Sequence, residues 1–254
     1  MPVFEAVAIL LAGLAAGTIN AVVGSGTLIT FPTLLAFGVP PVTANVSNTI
    51  GLVPGSVTGA IGYRRELAGQ LPRTLRLLTG SVLGGAVGAV LLLVLPAGAF
   101  EAIVPVLILL GVVLVVFQPR LSRWVADRAE RRGTSSEHDA WWVWPAVLLT
   151  GVYGGYFGAA QGVLLMAALG IGISQGLQRS NAVKNVLAAA TNGVAGVLFI
   201  IVADVDWRVV GLIGGGSIVG GLLGSSVGRR LPPLALRVVI VVVGVVALTA
   251  FLLR

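Results

Sequence analysis

Apolar residues run almost unbroken through eight stretches of this chain, at about 3–37, 45–62, 75–95 and 99–117, then about 141–173, 181–203, 209–228 and 235–253. Polar and charged residues gather between them. Apolar stretches of this length predict membrane-crossing helices, because a hydrocarbon core about 30 Å thick takes roughly 20 residues rising 1.5 Å each. The first stretch of each group is too long for one crossing: residues 3–37 would extend about 50 Å as a straight helix. It must break, and Gly24-Ser25-Gly26 is the weakest point, since glycine in a helix interior is destabilising and conformationally free. The later stretch carries its own glycine-rich interruption, GGYFGAAQG, from Gly154 to Gly162. Paired interruptions in two halves of a membrane chain point to a binding site.

The two groups of stretches are related. The sequence matches itself without gaps at an offset of 136 residues: TGSVLGGAVG (Thr79 to Gly88) falls on GGSIVGGLLG (Gly215 to Gly224), Leu95-Pro96 on Leu231-Pro232, Asn45 on Asn181 and Gly26 on Gly162. The expected organisation is therefore a first transmembrane repeat over 1–117, a charged linker over 118–140 and a second repeat over 141–254.

Loop charges set the relative orientation of these halves. Half one carries Arg64, Arg65, Arg73 and Arg76 in its middle loop and no Lys or Arg in the loops around it. Half two reverses this, with Arg179 and Lys184, then Arg208 beside Asp204 and Asp206, then Arg229, Arg230 and Arg237. Parallel halves would divide these ten positive charges five against five, and inverted halves nine against one. Because positive residues concentrate in cytoplasmic loops, inverted repeats are expected. Inversion needs an odd number of pieces per half, which a broken first segment provides as a hairpin: five helical pieces each, both termini outside, linker in the cytoplasm. The hairpin either crosses twice or is re-entrant. The linker, with RWVADRAERRG, reads as a short amphipathic helix. His138, the chain's one histidine, reads as a solvated linker residue.

Composition agrees with this class, at 57% hydrophobic and 10% charged residues. The net charge of +7 resides in loops, where anionic lipid accounts for it, and nucleic acid is not an expected partner. There is no cysteine, and the apolar stretches hold no set of His, Asp or Glu able to bind a metal or activate a nucleophile. No catalytic residue, metal or cofactor is expected.

What the apolar stretches do hold is neutral polar groups at helical spacing. Asn45, Asn48, Thr49 and Ser56 share one face, and Asn181, Lys184, Asn185 and Asn192 share the corresponding one. Helix N-termini present free N–H groups and positive partial charge, so residues 25–28 and 45–48, read as helix starts, suit an anion. The expected binding residues are Gly24, Ser25, Gly26, Thr27, Asn45, Asn48, Thr49, Gln161, Gly162, Asn181, Lys184 and Asn185. Lys184 reads equally well as a snorkelling anchor. Glycines every fourth residue at 51–59, 80–88 and 216–228 predict close helix packing, within one subunit or between copies in a homo-oligomer. Pro32, Pro54 and Pro105 predict kinks.

Taken in order, NAVVGSGTLITFP, TANVSNTIG, the DVDW turn at Asp204 to Trp207 and GGSIVGGLLGSSVGRRL resemble the TauE/SafE family of sulfite and organosulfonate exporters over nearly the whole chain. The resemblance implies a polytopic transporter of small, mainly sulfur-containing anions. This chain departs from the family's run of three glycines at the first break, having Gly24-Ser25-Gly26, and has Gly158-Ala159-Ala160-Gln161-Gly162 at the second. An anion channel, an importer of small carboxylates and a non-transporting scaffold subunit are the alternative readings.

Overall fold

A computed structural model of the chain describes residues 1–132, 139–226 and 233–252. These form ten helices: α1 (Val3–Val22), α2 (Thr27–Ala36), α3 (Pro41–Gly62), α4 (Leu71–Val94), α5 (Ala97–Arg132), α6 (Val143–Tyr156), α7 (Gln161–Gly172), α8 (Leu177–Val202), α9 (Trp207–Ser226) and α10 (Pro233–Leu252). The expected all-α polytopic class is observed, with ten helical pieces among the described residues. Among the described residues, five helices contain a segment long and apolar enough to cross a membrane: Val3–Val22, Leu71–Val94, Ala97–Arg120, Leu177–Val202 and Trp207–Ser226. Helices α8, α9 and α10 start 136 residues after α3, α4 and α5 respectively, the offset found in the sequence.

The first apolar stretch breaks where the glycines stand. Helix α1 ends at Val22 and α2 begins at Thr27, with Gly24 between them in the left-handed region at φ +88°. Helix α2 then doubles back, and Phe37 at its end meets Phe4 edge to face with ring centroids 6.3 Å apart. Its 10 residues rise about 15 Å, too little to cross a bilayer alone. The second break lies between α6 and α7, where Gly158 (φ +76°) and Ala160 (φ +58°) are both left-handed.

Glycines decide which helices pack. Gly13 and Gly17 of α1 lie against the backbone of Ile213 and Ser217, while Gly216, Gly220 and Gly224 of α9 lie against that of Leu10, Leu14 and Thr18. No side chain stands between the helices, so their backbones come into direct contact, and that contact is what association inside a bilayer relies on. Residue numbers rise together along this contact, so α1 and α9 are parallel. Gly80, Gly84 and Gly88 of α4 face Trp144, Leu148 and Val152 of α6 in the same parallel sense, and Gly51, Gly55 and Gly62 of α3 face Ile213, Ser217 and Ser225 of α9. Helix α8 runs alongside α4, with Thr191 and Val194 at Gly85. It runs against α3: Gly196 meets Ile50 and Val53, while Lys184 and Ala188 share a pocket with Ser56 and Gly59. Helices α1, α3 and α9 therefore point one way, and α4, α6 and α8 the other.

Two details differ from expectation. Helix α3 starts at Pro41 and α8 at Leu177, so Asn45 and Asn181 lie a turn inside their helices. Proline at the first helical turn explains the earlier start of α3, since its missing N–H costs nothing there. The start of the linker is not a separate helix: α5 continues through Gln118 to Arg132, because RWVADRAERR contains only good or tolerable helix formers. His138, Arg229 and Arg230 lie outside the described residues. The DVDW turn caps α9: the Asp206 carboxylate accepts N–H bonds from Arg208 (3.0 Å) and Val209 (3.2 Å). Its own N–H donates to Ser47 Oγ of α3 at 2.9 Å.

Candidate functional site

The two breaks meet. Gly162 N–H donates to Gly24 O at 3.0 Å, and the chains pass so close that a methyl on either glycine would overlap the other's backbone. Gly26 is equally tight against Ala16. Each break leaves donors free. At the first, Gly26 N–H donates to Asn20 Oδ1 at 2.6 Å, while the N–H groups of Ser25 and Thr27 have no backbone acceptor among the described residues. At the second, the Tyr153 hydroxyl holds Ala159 O, and the N–H groups of Ala159 and Ala160 are likewise without one. The free donors at the breaks thus lie at the starts of α2 and α7. Residues 45–48 are not such a start, because α3 has already begun at Pro41.

The polar faces of α3 and α8 close around these breaks. Asn181 Nδ2 (3.1 Å), Asn185 Nδ2 (3.3 Å) and Lys184 Nζ (3.4 Å) all donate to Ala21 O, and Lys184 Nζ donates to Asn20 O at 2.9 Å. These carbonyls are the orphaned acceptors of the interrupted α1, at the negative end of its dipole. On the other side Asn45 Nδ2 donates to Tyr156 O at 2.9 Å, at the end of α6. Asn48 Nδ2 reaches Thr27 Oγ1 at 3.4 Å, and Thr49 Oγ1 bonds back to Asn45 O in its own helix.

A pocket opens between these elements. Asn20, Ala21, Gly24 and Thr27 line it from the first hairpin; Gly55, Ser56 and Gly59 from α3; Gly158, Gln161 and Gly162 from the second; Lys184, Asn185, Ala188 and Asn192 from α8. Six of the twelve expected residues are on this wall: Gly24, Thr27, Gln161, Gly162, Lys184 and Asn185. Ser25, Gly26, Asn45, Asn48, Thr49 and Asn181 stand behind it. Sequence reasoning passed over Asn20, whose signal was a lone amide one turn before a glycine break in an otherwise apolar run. Gly55, Gly59, Gly158 and Ala188 carry no chemical signal of their own.

The electrostatics of this pocket are one-sided. Lys184 is 0% exposed, and among the described residues no acidic side chain lines the pocket with it. The ion pairs among the described residues lie elsewhere, joining Arg73 and Arg76 to Asp139. Ser25 Oγ and Gln161 Nε2 are buried without a hydrogen-bond partner, as are the Oδ1 atoms of Asn45, Asn48 and Asn181. A buried lysine amine and the unused N–H donor of Gln161 line one cavity, and the unpartnered Ser25 hydroxyl belongs to the first break, an arrangement that costs free energy until a ligand satisfies it. Among the described residues no group of three His, Cys, Asp or Glu could hold a metal ion.

A helical bundle crossing the membrane several times, with a polar pocket between two broken helices, defines a membrane transporter. The chain belongs to the family described as sulfite exporter TauE/SafE, whose model matches residues 9–251. It is 28% identical over 214 residues to a "Probable membrane transporter protein" of Haemophilus influenzae, covering 84% of this chain and 81% of that one. It is also 28% identical to "Probable membrane transporter protein ORF9" of a Sinorhizobium species (85% and 78% covered). Identity to "Probable membrane transporter protein YfcA" of Escherichia coli K12 is 27% (85% and 76% covered). No solved structure matches the chain.

Proposed function

We propose that this protein exports sulfite or a related small organosulfonate across the cell (inner) membrane by alternating access, using two inverted repeats, residues 1–117 and 141–254, joined by the linker 118–140. The observation that carries the reading is Lys184: a fully buried lysine without an acidic partner, in a pocket shared with two chain breaks. The family name supports the substrate class.

Three features support the inverted arrangement. Helix α1 runs opposite to α6, α3 to α8 and α4 to α9, each its counterpart in the other half. The left-handed residues Gly24 and Ala160 stand at matched positions. Ser56 and Asn192, also matched, line the same pocket, as residues can only where the halves meet at their pseudo-twofold axis. With inverted halves that axis lies in the membrane midplane, where inverted-repeat transporters place substrate. Arginines gather at one end of the bundle: Arg179 Nη2 donates to Ala68 O in the loop after Arg64 and Arg65, and Asp139 joins Arg73 to Arg76. That end faces the cytoplasm on the positive-inside rule.

The anion is held by the wall residues Thr27, Gln161, Asn185 and Lys184, with Ser25 and the free N–H groups of both breaks turning to it as the site closes, and rocking of the halves exposes it to each side in turn. An inside-negative potential drives a monoanion outward by about 2.3 kcal/mol per 100 mV, so export needs no coupled proton. The test is thermal stabilisation of the purified protein by sulfite, methanesulfonate, sulfate, short carboxylates and chloride. A ligand at 100 times its Kd adds about 2.7 kcal/mol. A selective shift with a sulfur oxyanion, lost in a Ser25→Ala/Gln161→Ala double variant that still folds, is expected. An unchanged shift in that variant removes the site.

A further inference from the structure

Building on the anion-transport reading, we infer that Lys184 makes the loaded site electrically neutral, so that the substrate crosses as a monoanion and the membrane potential acts on the return of the empty carrier. The argument is one of counting charges. Lys184 is the chain's one lysine and sits fully buried among neutral side chains and backbone. Its counterpart in half one, at the 136-residue offset, is Asn48, so the symmetric scaffold contributes its cation from one half alone. The rest of the pocket wall consists of glycine, alanine, serine, threonine, asparagine and glutamine. The protein part of the site therefore carries a single positive charge.

One monoanion brings that site to zero, and a dianion would leave it negative. Burying uncompensated charge in a low-dielectric interior is costly, so the neutral complex is the species that closes and reorients most readily. In the empty protein the ammonium rests on Asn20 O and Ala21 O, at the negative end of the α1 dipole. These neutral carbonyls stabilise it without cancelling its charge. Export then moves a neutral complex outward and a bare positive site inward. The second step is the one an inside-negative potential accelerates, and the whole cycle carries one negative charge out.

Two modes of flux separate these steps. In exchange, with anion saturating both sides, only the loaded carrier moves. In net efflux the empty carrier must return. The wild-type protein in liposomes, with the potential set by a potassium gradient and valinomycin, is tested with sulfite and with methanesulfonate, whose single charge is fixed. Exchange is expected to change less than twofold between 0 and −100 mV, while net efflux rises severalfold. The ceiling for a full charge is about fifty-fold at equilibrium. Lys184→Met is expected to reverse the pattern, with voltage-dependent exchange, and Lys184→Arg to keep the wild-type one. Wild-type exchange as voltage-dependent as net efflux would overturn the charge assignment while leaving anion transport intact. Net efflux that ignores voltage and instead carries a proton would also overturn it, since Lys184 would then return uncharged. Absence of flux for both anions would overturn the transport reading itself, and this inference with it.

Discussion

The contact between the two breaks makes a sharp prediction, because it is a backbone contact with no room to spare. Gly162 is not in a left-handed conformation, so alanine there meets no backbone strain and the effect is purely steric. An ideal Cβ on Gly162 would overlap Gly24 Cα while lying 3.0 Å from Gly24 O and 3.1 Å from Gly24 C. Ordinary contacts begin near 3.4 Å, so the breaks must separate enough to weaken the 3.0 Å bond from Gly162 N–H to Gly24 O. Overpacking costs about 1–3 kcal/mol and a lost hydrogen bond about 1 kcal/mol. Gly162→Ala should therefore destabilise by about 2–4 kcal/mol, or roughly 4–16 °C in Tm for a chain of this size. Gly24→Ala should cost about 1 kcal/mol more, because φ +88° disfavours any side chain. Gly193→Ala is the control: nothing lies within 4 Å of a Cβ there, and alanine favours the helix by about 0.5–1 kcal/mol. The assay is thermal unfolding of the detergent-purified variants, with anion flux measured in parallel. If Gly162→Ala proved as stable as Gly193→Ala, the breaks would not be in contact and a site built on both would be untenable.

Two further perturbations test the geometry around the breaks. Ala160→Gly is expected to raise stability by up to about 1 kcal/mol by relieving a left-handed alanine, whereas Ala159→Gly, at negative φ, should lower it by about 0.5–1 kcal/mol; both are read by thermal unfolding. Asn45→Ala should cost more than Asn181→Ala, about 1–3 against about 0.5–1.5 kcal/mol. Tyr156 O has Asn45 as its donor, while Ala21 O keeps Asn185 and Lys184 when Asn181 is lost. Equal penalties in chemical or thermal unfolding would contradict the hydrogen bonds described here.

The helices and the glycine breaks were legible in the sequence, because membrane solvation forces apolar runs of a fixed length and an overlong run has to break. The packing role of the glycine stripes was legible for the same reason: a residue without a side chain every fourth position is where another backbone fits. The start of α3 was misplaced by a turn. Val39, Pro40 and Pro41 look like loop residues, and proline opens a helix as readily as it ends one. That error added residues 45–48 to the expected helix start at 25–28, although 45–48 lie inside α3. The glycines at 55, 59 and 158 were not legible as wall residues, since their place depends on which helix faces cross. Lys184 was visible as an oddity, but periodicity alone could not distinguish a snorkelling anchor from a buried charge.

On the proposed two-repeat reading, positions matched by the 136-residue offset give an asymmetric site. Backbone geometry is shared: the starts of α8, α9 and α10 coincide with those of α3, α4 and α5, and the left-handed kink recurs at Gly24 and Ala160, although alanine pays for it with strain. Side chains diverge at and beside the pocket. Ser25 corresponds to Gln161, and Oγ of one and Nε2 of the other are both buried without partners. Asn48 corresponds to Lys184, and only the lysine brings charge. Two copies of the lysine would hold a buried +2 in a cavity with room for few counter-charges, and two asparagines would leave the anion's own charge unbalanced. On the proposed reading, one of each is the combination that matches a single monoanion while leaving both halves able to take up the same pair of conformations.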